Sequence, residues 1–185
     1  EYAENFRHNA LFVSPPAREA VENGRADFTP TFFYRAPRLF ETTLPVDVAL
    51  VQVTPPDENG ICSLGISVDY TLAAVKNAKL VIAQVNDQMP RTRGGSSVRV
   101  EDIDLFVEHS VPVLELAPPK IGPMEEAIGN YCASLINDGD TLQLGIGAIP
   151  DAVLSFLRHK KDLGIHSEMF SDGVVDLMER GVINN

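Results

Sequence analysis

The chain has 185 residues, a net charge of −11, and 44% hydrophobic and 22% charged residues, the balance of a water-soluble globular protein with core enough for one large or two small domains. That acidity argues against a nucleic-acid partner, which needs a clustered basic surface, though backbone donors can still bind an anion locally. No apolar run approaches the ~18 residues of a membrane span, and no basic, apolar-cored segment opens the chain as an export signal.

The polar, partly amphipathic residues 1–8 come first. Residues 10–13 then read as a short buried strand, and Pro15-Pro16 lead a helix over 17–22 that Asn23-Gly24 ends. Residues 27–33 read as extended around Pro30, and 37–41 as a helical turn. Residues 46–53 (VDVALVQV) form a near-continuous apolar run, the pattern of a central parallel strand buried on both faces. It breaks at the stiff acidic loop 54–60 (TPPDENG). Asp69 is the expected N-cap of a helix over 70–77, and 79–85 (KLVIAQV) a second buried strand. A mobile loop is predicted over 86–95, carrying Arg91 and Arg93.

Residues 101–108 fit helix or strand, and period alone does not decide. A strand is expected over 111–116. Residues 117–123 (APPKIGP) are the best linker. A helix over 124–136 should bury Met124, Ala127, Ile128, Tyr131 and Leu135, which recur at helical spacing. After the turn 137–140, residues 141–150 (TLQLGIGAIP) read as a strand running into a tight turn. A helix over 151–157 follows, with Pro150 in its first turn. Residues 163–168 (LGIHSE) form the next strand, and a helix over 174–180 completes the order. Strands alternate with helices throughout, so the fold class is α/β with mostly parallel sheets and flanking helices.

The richest chemistry sits near the C-terminal end. Glycines after a strand let the backbone turn sharply and approach a ligand, while the next helix points N–H groups outward. Gly145-Ile-Gly147 has that form, and Glu168 is expected at the end of the adjacent strand, on the same sheet edge. Apolar Ile165, Met169 and Phe170 around Glu168 predict a partly desolvated carboxylate. A carboxylate facing backbone donors suits acyl transfer through a carboxylate nucleophile. A packing turn and a strand-end cap are the simpler alternatives. A dinucleotide site is a third, because an acidic residue about 20 positions past a GxG belongs to that fingerprint. Against it, Pro150 replaces the third glycine.

No other centre competes. His8, His109 and His159 lack partners at ligand spacing, His166 suits a strand position, and Asp172-Gly173 reads as a turn. No serine occupies a GxSxG elbow, and no phosphate loop is present. Cys62 and Cys132 lack metal or CxxC spacing and are expected to be buried free thiols of a reducing cytosol, placing the chain in the cytoplasm.

LQLGIGAIPDAV followed by LGIHSEMFSDGVVDL closely resembles the acetyl-CoA hydrolase/transferase family, which includes the acetate, butyrate and 4-hydroxybutyrate CoA-transferases. LPVDVALVQVTPPDENGICSLGISVDYT and VIAQVNDQMPRT are similar to the family's N-terminal domain. The resemblance implies two similarly folded α/β domains, here 1–118 and 119–185 with the second incomplete, and a ping-pong reaction through a glutamyl-CoA thioester. It implies Glu168 as nucleophile, Gln143, Leu144, Gly145, Ile146 and Gly147 lining the CoA thioester, and the N–H groups near Ile146–Gly147 as oxyanion donors. Such a donor is typically worth about 3–4 kcal/mol. The implied ligands are acyl-CoA and a short-chain carboxylate such as acetate, with no metal, nicotinamide or flavin, in a homo-oligomer.

Family members are much longer, and the chain's ends look like those of a piece that would be inactive alone. Three readings compete with the transferase: an acetyl-CoA hydrolase, differing only in water access; a non-catalytic acyl-CoA or nucleotide binding module; and a sugar-phosphate isomerase, whose phosphate cradle only Arg91 and Arg93 could offer. Loops 55–60 and 86–93 are candidate walls of an acyl pocket.

Overall fold

A computed structural model describes residues 4–185, so the first three residues of the polar opening stretch lie outside the described residues. The chain divides into two compact units, Glu1–Leu114 and Glu115–Asn185.

In the first unit, β1 (Asn9–Ala10) leads to α1 (Pro15–Glu22) and to β2 (Asp27–Phe28), which pairs parallel with β1. A 3₁₀ turn, Phe33–Arg35, runs into α2 (Ala36–Glu41). The main sheet has the order β3-β5-β7, all parallel, from β3 (Val48–Val53), β5 (Leu80–Val85) and β7 (Leu105–Glu108). Between them lie β4 (Ile61–Ser63) and β6 (Ser97–Arg99), an antiparallel pair, and α3 (Thr71–Asn77). Tyr70, not the expected Asp69, is the N-cap of α3; Asp69 stands one residue earlier, where its carboxylate accepts from the Thr71 N–H at 2.8 Å and the Thr71 hydroxyl at 2.6 Å in a local turn. The ambiguous stretch resolves into both outcomes in series: a 3₁₀ turn at Val100–Asp102, then β7.

The core of this unit gathers Ala49, Val51, Val53, Val81 and Ala83 of the sheet with Cys62, Leu64, Val75, Val98 and Ile103. Only one sheet face is covered. On the other, Val48 is 46% and Leu50 76% exposed, which corrects the expectation that residues 46–53 are buried on both faces. The apolar run reported side-chain character on both faces, and within this unit packing is present on one.

The expected strand over 111–116 does not form. The side chain of Asn86 takes both backbone groups of Val111, donating to its carbonyl at 2.8 Å and accepting from its N–H at 3.2 Å, and Pro112 has no N–H to give. Loop 86–95, expected to be mobile, is also tied down through Asn86, Arg91 and Thr92, as described below.

The second unit begins its regular structure with α4 (Pro123–Leu135), with Pro at its first position and the Glu125 carboxylate accepting from the Gly122 N–H at 3.0 Å. Then follow β8 (Thr141–Leu142), α5 (Ala148–Ser155), β9 (Gly164–Ile165) and α6 (Asp172–Glu179). Asp172-Gly173 therefore opens a helix rather than closing a turn.

The expected inward face of α4 is wrong: Met124, Tyr131 and Leu135 are exposed, and Gly129 and Ala133 are buried. Helix α4 packs on α5 through its small residues. A Cβ on Gly129 would stand 2.8 Å from the Ala152 carbonyl carbon, so close backbone approach outweighed the large-residue stripe. Cys132 lies on the exposed side as well, against the expectation of a buried thiol, while Cys62 is buried and both are free. The core here collects Leu154, Leu157, Leu163, Val174 and Leu177 around the β8–β9 pair. Burying each leucine contributes roughly 1.5–3 kcal/mol. Among the described residues no helix is long and apolar enough to cross a membrane.

Candidate functional site

The parallel pairing of β8 and β9 fixes the site's geometry. Thr141 stands opposite Gly164 and Leu142 opposite Ile165, so both chains leave the sheet by the same edge. The glycine at 164 eases this contact: a Cβ there would lie 2.9 Å from the Thr141 hydroxyl, which would have to shift. Past the strands the ladder persists, with the His166 N–H donating to the Leu142 carbonyl at 2.9 Å. One residue on, a side chain replaces the backbone. The Ser167 hydroxyl donates to the Leu144 carbonyl at 2.8 Å and accepts from the Leu144 N–H at 3.2 Å. The strand predicted over 163–168 is thus shorter in backbone terms, and Glu168 lies in the bend beyond it.

From Leu144 the other chain turns through Gly145-Ile146-Gly147 into α5. Gly147 is the helix N-cap at φ 114°, ψ −176°, a region open to glycine alone. Pro150 sits in the first turn of α5, where it removes no intrahelical hydrogen bond, as its position in the sequence suggested. The N–H groups of Ile146 and Gly147 donate to no other described residue. Gln143, Gly145, Ile146 and Gly147 are exposed and Leu144 is half-buried.

Glu168 is exposed, with Met169 and Phe170 at 39% and 60% exposure. The expected partial desolvation is therefore absent, because these neighbours turn outward instead of folding over the carboxylate. Glu168 and the glycine turn emerge from adjacent parallel strands, the place where open α/β sheets assemble ligand sites.

The polar residues of the first unit behave oppositely. Asn86, fully buried at the end of β5, donates to Gln52 Oε1 at 3.2 Å besides holding Val111, and accepts from the Gln88 N–H at 2.9 Å. Arg91 donates to the carbonyls of Pro55 at 2.6 Å and Ile61 at 3.1 Å and pairs with Asp57 at 3.6 Å. Ser63 and Thr92 share a hydroxyl contact at 3.1 Å. Loop 86–95 is thereby clipped onto the turn from β3 to β4, and Arg91 is committed to it, not free to cradle a phosphate. The Ile61 N–H does most to hold the Asp57 carboxyl below the usual range; burial opposes it, and the Asn59 N–H and the Arg91 guanidinium add to the lowering. Burial pushes the Cys62 thiol up, making it a poor nucleophile. A cleft of about 610 Å³ opens beyond the ends of β5 and β7, lined among others by Pro55, Asp87, Phe106, His109 and Ser110. No motif in the sequence marked it, since its lining comes from four separate segments.

No group of three or more His, Cys, Asp or Glu side chains at metal-binding range occurs among the described residues. Sequence reasoning missed the role of Ser167, for which a hydroxyl beside Glu168 was the only available sign.

The acetyl-CoA hydrolase/transferase N-terminal domain matches residues 1–116. The chain is 65% identical over 182 residues to 4-hydroxybutyrate coenzyme A transferase of Clostridium kluyveri, covering 98% of this chain and 42% of that protein. It is 49% identical over 183 residues to succinyl-CoA:cyclohexane-1-carboxylate CoA transferase of Geobacter metallireducens, covering 99% of this chain and 42% of that one. Among solved structures, 4-hydroxybutyrate CoA-transferase from Porphyromonas gingivalis superimposes with a TM-score of 0.82 at 44% identity, over 96% of this chain and 46% of that one. RipA from Yersinia pestis gives 0.89 at 34% identity, over 96% and 43%. The chain therefore spans about 42% of the length of these curated relatives. The domain match ends before Glu168, but the relatives align across nearly the whole chain, both units included. The chain belongs to the acetyl-CoA hydrolase/transferase family.

Proposed function

We propose that this chain carries the nucleophile of a CoA-transferase that moves CoA from a short-chain acyl-CoA to a carboxylate such as acetate. One observation carries the reading: Glu168 and the Gly145–Gly147 turn leave adjacent parallel strands by one edge, the turn presenting N–H groups with no acceptor among the described residues. The curated relatives named above are CoA-transferases, which supports the reaction class.

In this reading the Glu168 carboxylate attacks the thioester carbonyl of acyl-CoA. The C–S bond breaks, giving an acyl-glutamyl anhydride and CoA thiolate. The thiolate attacks the glutamyl carbonyl and releases the first carboxylate, leaving a glutamyl-CoA thioester. The acceptor carboxylate attacks that thioester, forming a second anhydride, and the thiolate takes the new acyl group while Glu168 returns as a free carboxylate. Each tetrahedral intermediate bears an oxyanion, which in this reading accepts hydrogen bonds from the Ile146 and Gly147 N–H groups. Two acyl transfers at one carboxylate need neither a metal nor a redox cofactor, because each step exchanges one acyl substituent for another.

The test is CoA exchange between acetyl-CoA and a second short-chain carboxylate, on the protein as its source makes it. Exchange that requires the acceptor acid and is lost in Glu168→Ala supports the transferase. Thioester loss at the same rate without acceptor would instead indicate the hydrolase, and binding of acyl-CoA without any turnover a binding module.

A further inference from the structure

We propose that Ser167 is a positioning residue for acyl transfer, its hydroxyl acting as the last rung of the β8–β9 ladder and holding the glycine turn beside Glu168. This rests on Glu168 being the nucleophile.

A hydroxyl has one donor and two acceptor sites, enough to satisfy both backbone groups of one residue on a facing strand. Ser167 uses them in that way, donating to the Leu144 carbonyl at 2.8 Å and accepting from its N–H at 3.2 Å. The backbone ladder has already stopped: its final rung is His166 N–H to the Leu142 carbonyl. Without the hydroxyl the segment from Gln143 to Gly147 would have no tie to the β9 chain beyond that rung. Glycine at 145 and 147 makes that segment intrinsically loose, since each admits backbone angles closed to other residues.

The placement of the tie matters. Ser167 is bonded in sequence to Glu168, and Leu144 lies two and three residues before Ile146 and Gly147, so one side chain ties the nucleophile's neighbour to the start of the donor turn. Acyl transfer depends on that spacing, because a misplacement of about 1 Å can cost roughly a hundredfold in rate. The tie is also half-buried, which shields it from competing water.

The experiment compares Ser167→Ala and Ser167→Thr in the CoA-exchange assay on the protein as its source makes it. The alanine variant is expected to lose roughly 10- to 100-fold in kcat with KM for the acyl-CoA held within about twofold, since the lost tie aligns the reacting groups and does not bind the thioester. Threonine keeps the hydroxyl and should restore the rate. Full kcat in the alanine variant, or a threonine variant as slow as alanine, would overturn the proposal. Glu168→Ala run in parallel separates the two layers. If it is inactive while Ser167→Ala is not impaired, only the clamp is wrong; if it is fully active, the nucleophile reading itself fails. Should the alanine variant not fold, hydrogen exchange of the parent protein decides. A Leu144 amide protected at least about tenfold over Ile146 supports the tie, and equally fast exchange at both contradicts it.

Discussion

The clipped loops of the first unit and the glycine turn of the second use polar residues in opposite ways. Asn86, Arg91, Thr92 and Asp57 spend their hydrogen-bonding capacity on one another and on nearby backbone. Glu168 and the N–H groups of Ile146 and Gly147 spend none on the described residues. Buried polar groups left unpaired cost stability, so a protein bonds those it uses for structure. Groups with no partner among the described residues, as here, remain available for a substrate. The contrast separates polar residues that hold the fold from those we propose to react.

Glu168→Ala should give the largest effect, a fall in CoA exchange of at least roughly a thousandfold with little change in thermal stability, because an exposed carboxylate supports no packing. Retained exchange would erase the contrast from the reactive side. Gly147→Ala should affect both properties: a side chain at φ 114° costs about 1–3 kcal/mol and displaces the turn, lowering Tm and slowing exchange together.

Asn86→Ala should act on stability, by about 1–3 kcal/mol in denaturant unfolding, since it empties a fully buried position and leaves the half-buried backbone bonds to Val111 and Gln88 unmade. A change below the error of the fit would show that loop 86–95 does not depend on that side chain. The smallest effect concerns pH. The folded-state pKa of Asp57 is depressed, so its contribution is present above the unfolded pKa and lost as pH falls through the folded value. Thermal scans from about pH 6 to about pH 3 should show a smaller fall in Tm for Asp57→Asn than for the parent. Equal slopes would mean that the Ile61 and Asn59 contacts do not favour the ionised form.

The two units also differ in how much of each was legible in the sequence. Strands β3 and β5 were readable because long apolar runs bounded by Pro, Asn and Gly admit few alternatives. The covered face of that sheet was not, since both faces carry apolar side chains and only contacts decide. The inward side of α4 was misread for a related reason. Its large residues repeat at helical spacing, yet Gly129 and Ala133 let two backbones meet, a gain invisible to a hydrophobic period. The segment 111–116 has strand composition, but a distant asparagine took its hydrogen bonds. At the site, the glycine turn and the acidic residue stood out by type and spacing. Ser167 did not, because its hydrogen bonds depend on which residue of the chain leaving β8 lies opposite, and register is a property of the folded pair.

The most direct test is intact-mass spectrometry of the protein as its source makes it, after incubation with acetyl-CoA and trapping with hydroxylamine or borohydride. The account predicts a modification that maps to Glu168 and vanishes in Glu168→Ala. A protein that exchanges CoA actively while Glu168 remains unmodified would contradict it.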